Sequence, residues 1–179
     1  MSAHHLRRAG QLGLLVVAGL GAVACDLLRN EPELPTVEEA AIPYLAMGMD
    51  AEYALNGNVF EIRVVQPRNQ LERGGSLWAK VGPYVYVFSP ATRAVFEDNA
   101  AIAGVRVITV TPDGDEVARA LLRREVMREA KWRRALNLLG LALQEGTQRP
   151  TRLEALVSFG EENTDYQYSP DWVRPPGGS

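Results

Sequence analysis

Side chains that could act as nucleophiles, general bases or metal ligands are few in this sequence of 179 residues. The only histidines are His4 and His5, and Cys25 is the only cysteine. Serine and cysteine hydrolases need a histidine base, and most zinc, copper, haem and iron–sulfur sites need histidine or cysteine ligands. No P-loop or G-x-G-x-x-G motif is present, and Gly74-Gly75 is too short to cradle a phosphate. Beyond residue 25, the chain therefore retains mainly carboxylate and guanidinium chemistry.

Carboxylates cluster in residues 113–116 (DGDE) and 161–165 (EENTD). Paired carboxylates could support glycoside hydrolysis, and carboxylate oxygens could bind calcium, although neither spacing matches an EF-hand loop. The alternative is that the first cluster occupies a turn and the start of a helix, where acids suit the helix dipole, and that the second is a solvated loop. We expect the alternative, and we predict a protein without catalytic residues, cofactor or metal.

Basic side chains are concentrated further along the chain. Seven of them lie from Arg119 to Arg134, together with Glu125 and Glu129. Arginine can pair bidentately with carboxylates and phosphates, so this stretch could dock an acidic partner or lipid headgroups. The alternative is a solvated helix face that the glutamates partly neutralise.

Trp172 lies in a Pro- and Gly-rich terminal segment with little else to hold it. It either folds back onto the domain or inserts into a partner, where tryptophan is often an anchor. The predicted partner-binding residues are Arg119, Arg123, Arg124, Arg128 and Trp172.

The N-terminus has the pattern of an export signal. Arg7 and Arg8 precede residues 12–24 (LGLLVVAGLGAVA), which carry no charge. This stretch is shorter than the ~20 residues that span a bilayer as a helix, but it suits the apolar region of a signal peptide. A signal anchor over residues 9–28 is the alternative, and it would place Asp26 within the membrane at a high energetic cost.

Residues 22–25 (AVAC) resemble the lipobox of bacterial lipoproteins, in which small residues precede an invariant cysteine. The resemblance covers only the first 26 positions, and it implies cleavage before Cys25 and diacylglycerol on its sulfur. Ala22 stands where leucine is more usual, and AVA also fits the A-x-A site of ordinary secretion. A lone cysteine cannot form an intramolecular disulfide, which favours lipidation. Asp26 resembles the signal that retains many lipoproteins in the inner membrane.

Cleavage before Cys25 would remove both histidines and two arginines, and the formal net charge would change from −3 to −5. An acidic domain of this kind has no overall attraction to nucleic acid.

The first elements of the domain can be predicted from local signals. Thr36 and Glu39 fit a capping box, which predicts a helix start. Pro43 should end or kink this helix, and residues 44–55 could continue as helix until residues 56–58 (NGN) stop it.

Three strands are predicted next, over residues 59–66, 77–88 and 105–111. The first alternates between apolar and charged residues, and the third is rich in β-branched residues. The second would place Tyr84 and Tyr86 on one face, with Gly74-Gly75 forming the turn before it.

The C-terminal half is predicted to be mainly helical. Residues 112–115 (PDGD) predict a turn, and residues 116–145 predict the longest helix, closed by Gly146. A capping box at Thr151 predicts a short helix, and residues 164–168 predict an edge strand.

These elements predict an α+β domain in which a long C-terminal helix and shorter helices cover a mainly antiparallel sheet of three or four strands. The predicted organisation is a signal peptide over residues 1–24, a lipidated tether over 25–35, one domain over 36–168 and a Pro/Gly-rich tail over 169–179.

For function, the sequence favours a non-catalytic lipoprotein on the extracytoplasmic (periplasmic) face of a bacterial membrane. We expect an accessory or scaffolding subunit of an inner-membrane protein complex, for example a respiratory or photosynthetic one. The alternative is an envelope lipoprotein that binds a small ligand, glycan or lipid, with Tyr84 and Tyr86 as its aromatic face.

Overall fold

The computed structural model describes residues 32–173 and has an α+β fold, which confirms the predicted class. The predicted signal peptide, Cys25, Asp26 and residues 174–179 lie outside the described residues. The helices are α1 (Val37–Ala46), α2 (Arg68–Val87), α3 (Pro90–Asp98), α4 (Glu129–Glu145) and α5 (Pro150–Asn163). The strands are β1 (Glu52–Asn56), β2 (Val59–Val65), β3 (Gly104–Val110), β4 (Glu116–Arg123) and β5 (Asp165–Tyr168).

The five strands form one sheet in the order β1-β2-β3-β4-β5. The pairing of β2 with β3 is parallel, and the other pairings are antiparallel. Helices α2 and α3 make the crossover between β2 and β3. The sheet is therefore mainly antiparallel, as predicted, with one strand more than the expected three or four.

The predicted capping box starts α1. The backbone N–H of Glu39 donates to Thr36 Oγ1 at 3.2 Å, and the backbone N–H of Thr36 donates to Glu39 Oε2 at 2.8 Å. The helix includes Pro43 and ends at Ala46, so the predicted helical continuation through residue 55 is wrong. Residues 52–56 form β1 instead, because Gly57 adopts a φ of 61° and turns the chain into a hairpin with β2.

The predicted strand over residues 77–88 is also wrong, because this segment lies in α2. Its apolar residues fit both the two-residue alternation of a strand and the 3.6-residue repeat of a helix. Val81, Tyr84 and Phe88 have the spacing of one helix face. All three are fully buried, so the helical arrangement places them in the core. The glycine pair that was predicted as a turn breaks α2 at Gly75, where φ is 57°.

The predicted long helix is wrong over its first thirteen residues, 116–128. Residues 116–123 form β4, and the helix α4 begins only at Glu129. Gly114 has a φ of 91°, so the predicted turn reverses the chain, and β4 then pairs with β3. Sheet pairing overrides the helix propensity of a segment rich in Ala, Leu, Arg and Glu.

Three other strand predictions hold, since β2, β3 and β5 fall where residues 59–66, 105–111 and 164–168 were expected. The second capping box is not formed, because α5 begins at Pro150, one residue before Thr151. Proline suits the first position of a helix, where its missing N–H would have no partner.

The main core lies on one face of the sheet, which we call the inner face. Every second residue of the central strands points into this core, and all five helices add residues to it. The fully buried Phe60 packs beside Tyr44 of α1, with ring centroids 6.0 Å apart. The inner face includes Phe60, Ile62, Val64, Val105, Val107, Ala120 and Leu122.

Candidate functional site

The opposite face of the sheet, here called the outer face, carries charged side chains in cross-strand rows. In one row Arg63, Ile108 and Arg119 are adjacent, and in the next Glu61, Arg106 and Leu121 are adjacent. Ile108 is shielded between its charged neighbours, whereas most other outer-face residues are partly or fully exposed. The charged residues of the outer face are Glu52, Glu61, Arg63, Arg106, Glu116, Arg119, Arg123 and Asp165.

Two ion pairs hold the middle of the outer face. Arg106 donates to Glu61 Oε2 at 3.0 Å, and this pair links β3 to the neighbouring β2. Arg119 donates through two nitrogens to the two carboxylate oxygens of Glu116, each at 2.6 Å. The hydrogen bonds to Glu116 raise the pKa of Arg119, so its guanidinium remains charged at every physiological pH.

Two further pairs lie towards the sheet edges. Arg123 of β4 donates to Asp165 Oδ2 of β5 at 2.8 and 3.0 Å, and this contact raises the pKa of Arg123. Arg63 lies 4.0 Å from Glu52 and donates to the carbonyl oxygen of Gly114 at 3.1 Å. Arg63, Arg106 and Arg123 are thus held by a neighbouring strand or turn, whereas Arg119 is held by Glu116 of its own strand.

The outer face has no net charge, because its four arginines are matched by four carboxylates. It presents hydrogen-bond donors and acceptors in fixed positions, and its electrostatic potential is not dominated by one sign of charge. Such a surface does not favour nucleic acid, whose affinity depends on neutralising many phosphates. It is suited to another mixed-charge surface, where complementary pairs fix partner and register.

The four predicted arginines do not share one face. Arg119 and Arg123 lie on the outer face, but Arg124 turns towards the core side and donates to three backbone carbonyls. Its contact with Ile102 O is 2.7 Å, and its guanidinium lies 4.9 Å from the ring centroid of Phe96. Burial lowers the pKa of Arg124. Arg124 therefore acts as a clamp between the end of β4 and the loop before β3.

Arg128 and Trp172 have separate positions. Arg128 is exposed and immediately precedes α4, without capping it through its side chain. Trp172 is half-buried against a small apolar cluster that contains Leu71 and Ala79, and its carbonyl accepts from Ser76 Oγ at 3.2 Å. Trp172 was predicted either to fold back onto the domain or to insert into a partner, and in the structure it folds back onto the domain.

The carboxylate cluster of residues 161–165 is divided between two structural contacts. Asp165 pairs with Arg123, whereas Glu161 accepts from Tyr168 at 3.0 Å and lies 3.5 Å from Lys80 Nζ. Tyr168 also bonds to Tyr84, with 2.8 Å between the two phenol oxygens. Burial raises the pKa of Tyr84 to about 12, so this phenol keeps its proton at neutral pH.

The other cluster is divided as well, since Asp113 pairs with Arg68 and Glu116 pairs with Arg119. Within residues 32–173, no three acidic side chains come together in a group that could hold a metal ion.

A groove runs beside α2 near the ends of the parallel strands. Its narrowest part is a cavity of about 190 Å³ with mainly apolar walls, including Trp78, Val81 and Val85. It shares Val85 and Tyr86 with a wider depression of about 860 Å³. Tyr86 therefore lines the groove while Tyr84 is buried, so the predicted aromatic face of Tyr84 and Tyr86 does not exist.

No protein-family model, curated protein or solved structure matches this chain. The functional interpretation therefore depends on the chemistry of the chain itself. Between residues 32 and 173, every helix is too short or too polar to cross a bilayer.

Sequence reasoning missed Arg63 and Arg106 as members of the outer face. Arg63 was recognisable as an exposed residue of an alternating strand, and Arg106 stands between Val105 and Val107. Their proximity to Arg119 depends on the strand order, for which the sequence contains no local signal.

Proposed function

We propose that this chain is a lipoprotein anchored through Cys25 to the extracytoplasmic face of a bacterial inner membrane. In this proposal the domain has no catalytic role and acts as an accessory or scaffolding subunit of an inner-membrane protein complex, for example a respiratory or photosynthetic one. The tether is supported by the AVAC sequence at residues 22–25 and by the apolar stretch before it.

The outer face is the observation that carries the docking part of the proposal. It displays four guanidinium groups on strands, and strands hold binding groups more rigidly than loops do. Each group is already oriented by a carboxylate or carbonyl, so little side-chain entropy remains to be lost on binding. Arginine is enriched at protein–protein interfaces because one planar group provides several donors together with apolar contact.

The tether reduces the affinity that such a surface needs. A lipid anchor keeps the domain and a membrane-embedded partner at a high effective concentration, so a weak contact is enough for stable association. The mixed charges of the outer face then serve mainly to select the partner and its orientation.

The anchor can be tested by intact-mass analysis of the full-length chain expressed in a bacterial host. We expect loss of residues 1–24 and a mass increase on Cys25 that corresponds to diacylglycerol, with or without a further acyl chain. A product that retains residue 1, or an exported product with a free Cys25 thiol, would overturn the proposal.

Docking can be tested by purification from native membranes in a mild detergent. We expect the wild-type chain to copurify with a membrane complex and the double variant Arg119→Ala/Arg123→Ala to lose it. The matched control is Arg133→Ala/Arg149→Ala, which removes two exposed arginines elsewhere. A wild-type chain that is always a free monomer, or equal losses in both double variants, would contradict docking at the outer face.

Arg128 was also predicted to bind a partner, and it lies outside the outer face. If Arg128→Ala weakens copurification as strongly as the outer-face variant, the docking surface extends from β4 to the start of α4. If it has no effect, the contact is confined to the sheet.

Ligand binding is a second candidate, which the groove beside α2 favours. Val65 and Leu143 line its narrow cavity and remain largely exposed, so the apolar surface there is accessible. Small-molecule sites are usually concave, mainly apolar and equipped with a few polar groups. A rise in the unfolding temperature with a lipid or glycan, abolished by Val85→Asp, would favour this function over docking.

A further inference from the structure

Exposed large apolar side chains are concentrated in one short part of the domain. Of the seven in residues 32–173, four fall between residues 34 and 47. Of the other three, Val65 and Leu143 line the groove beside α2, and Tyr166 lies on β5. The four are Leu34, Ile42, Leu45 and Met47.

Helix α1, which contains two of them, is apolar on both sides. Ala40, Ala41 and Tyr44 face the core, whereas Ile42 and Leu45 are 60% and 58% exposed. Ile42 and Leu45 are three positions apart, so they lie next to each other on the solvent side of the helix. A surface helix of a soluble domain normally carries polar residues at such positions.

The charge distribution of α1 is equally unusual. Residues 40–49 (AAIPYLAMGM) contain no charged side chain, and the helix has no basic residue. Its only acids are Glu38 and Glu39 in the first turn, where Glu39 closes the capping box. Residues 40–49 therefore add no charge to the exposed apolar surface, and only the first-turn Glu38, four positions before Ile42, lies on the same side of the helix.

From these observations we infer that Ile42 and Leu45 on the solvent side of α1, together with Leu34 before the helix and Met47 after it, lie in the interfacial region of the lipid bilayer. This inference depends on the proposed lipid anchor at Cys25. Ten residues lie between Cys25 and Thr36, and even a fully extended chain over these eleven Cα-to-Cα steps reaches only about 40 Å. The bilayer is therefore the apolar phase that this part of the domain meets first.

The chemistry of α1 favours lipid and specifies which kind of lipid surface it needs. Many interfacial helices use basic residues to attract anionic headgroups. α1 has none, so its contact depends on apolar burial and does not require anionic lipid. The anchor holds the helix at the surface, which removes the need for electrostatic attraction.

The arrangement is compatible with docking at the outer face. Tyr44 packs α1 onto the inner face of the sheet, beside Phe60. The outer face is consequently on the other side of the sheet from α1, and membrane contact through α1 leaves it accessible to a partner.

The test uses the acylated full-length chain with one added thiol. Because Cys25 is the only cysteine and acylation blocks its sulfur, Leu45→Cys provides a single site for an environment-sensitive fluorophore. Intact mass is measured before labelling to establish that Cys25 is acylated. The labelled chain is then reconstituted in phosphatidylcholine vesicles, with and without lipids that carry a nitroxide quencher. The matched control is Gln167→Cys, an exposed position on the outer face of β5.

We expect the probe at position 45 to show a blue shift and to lose most of its emission to the quencher, while the probe at position 167 shows neither. Added phosphatidylglycerol should leave the result unchanged. An acylated chain whose two probes behave alike would overturn the inference and leave the anchor intact. The inference would also be overturned if the probe at position 45 were shielded from water in native membranes but not in pure lipid vesicles, because that result would indicate contact with a protein. A free Cys25 would overturn both proposals.

A second variant separates local contact from anchoring. With the probe at Met47→Cys, the double substitution Ile42→Ser/Leu45→Ser should greatly reduce quenching while the chain stays bound to the vesicles through its lipid. Unchanged quenching in this variant would overturn the role of the apolar side of α1. Because both substituted residues are exposed, the fold should be retained, and circular dichroism checks this.

Discussion

The two faces of the sheet use the same strands for different purposes. Along β2, Phe60 and Ile62 point into the core and are fully buried, whereas the intervening Glu61 forms an ion pair on the outer face. The inner face is held by apolar packing, and the outer face by charged groups that partly remain in water. Stability should therefore depend mainly on the inner residues, which leaves the outer residues available for recognition.

Two arginines that are adjacent in the sequence also lie on opposite sides of the sheet. Arg123 lies on the outer face and pairs with an exposed carboxylate, while Arg124 satisfies three backbone carbonyls on the core side. Residue type alone does not distinguish them, and one step along the chain changes the role from surface contact to structural clamp.

Truncation of an inner-face side chain should have the largest effect. We expect Phe60→Ala to lower the free energy of unfolding by about 3–5 kcal/mol, because it removes a buried ring and leaves a cavity. The adjacent outer-face variant Glu61→Ala should lower it by less, about 1–2 kcal/mol, because it removes a partly buried hydrogen bond to Arg106 but no core side chain. Urea denaturation measures both, and equal losses would contradict the division between the faces.

The two arginines provide the next test. Arg124→Ala should lower the free energy of unfolding by about 2–3 kcal/mol, because backbone carbonyls in a half-buried site lose a charged donor. Arg123→Ala should have a much smaller effect, because its ion pair with Asp165 is exposed to water. Chemical denaturation of both variants checks the order, and a larger effect of Arg123→Ala would show that the clamp has been assigned to the wrong residue.

Tyr84 tests the polar network that joins the inner-face helices to β5. Tyr84→Phe should lower the free energy of unfolding by about 1 kcal/mol at neutral pH, because Tyr168 loses a hydrogen-bond partner. The conservative variant Tyr166→Phe, at an exposed position, is the control and should be close to neutral.

The same variant should change the response to alkaline pH. Burial raises the pKa of Tyr84 to about 12, whereas the unfolded value is about 10. Between these values the unfolded chain loses the proton that the folded chain retains, so stability decreases as the pH rises. The contribution of one such phenol is at most about 1.4 kcal/mol per pH unit. Denaturation curves from pH 9 to 12 should therefore fall less steeply for Tyr84→Phe than for wild type.

Gln66 should show the smallest effect, although it occupies an inner-face position. Its Nε2 donates to Trp78 O at 2.9 Å, but its buried Oε1 has no hydrogen-bond donor among the described residues. Gln66→Met has a similar shape and removes both the bond and the unpaired acceptor, so we expect a change within about 1 kcal/mol. A loss as large as that of Phe60→Ala, measured by the same denaturation, would show that the amide is essential to packing.

Much of the fold was predictable where a local signal has one interpretation. Alternation and β-branched residues located β2 and β3, and the capping box located the start of α1. Two segments were misassigned because their sequences are compatible with both a strand and a helix. In residues 77–88 the helical arrangement places Val81, Tyr84 and Phe88 together in the core, and in residues 116–123 pairing with β3 overrides helix propensity.

The candidate site was only partly predictable for a related reason. Arg119 and Arg123 were identified, but they were placed on a helix face with Arg124 and Arg128. The partners that complete the outer face, Arg63 and Arg106, come from strands that are distant in sequence. A pattern within one segment contains no information about which strand will lie beside it.

The parallel pairing of β2 with β3 determines the order in which the chain can fold. Arg106 meets Glu61 only after the intervening α2 and α3 have brought the two strands together, whereas β3 and β4 are joined by a short turn. Closing the longer loop costs more conformational entropy before any contact compensates for it. We therefore expect the β3–β4 hairpin to form early and the β1–β2 hairpin to join it late, through the parallel pairing of β2 with β3.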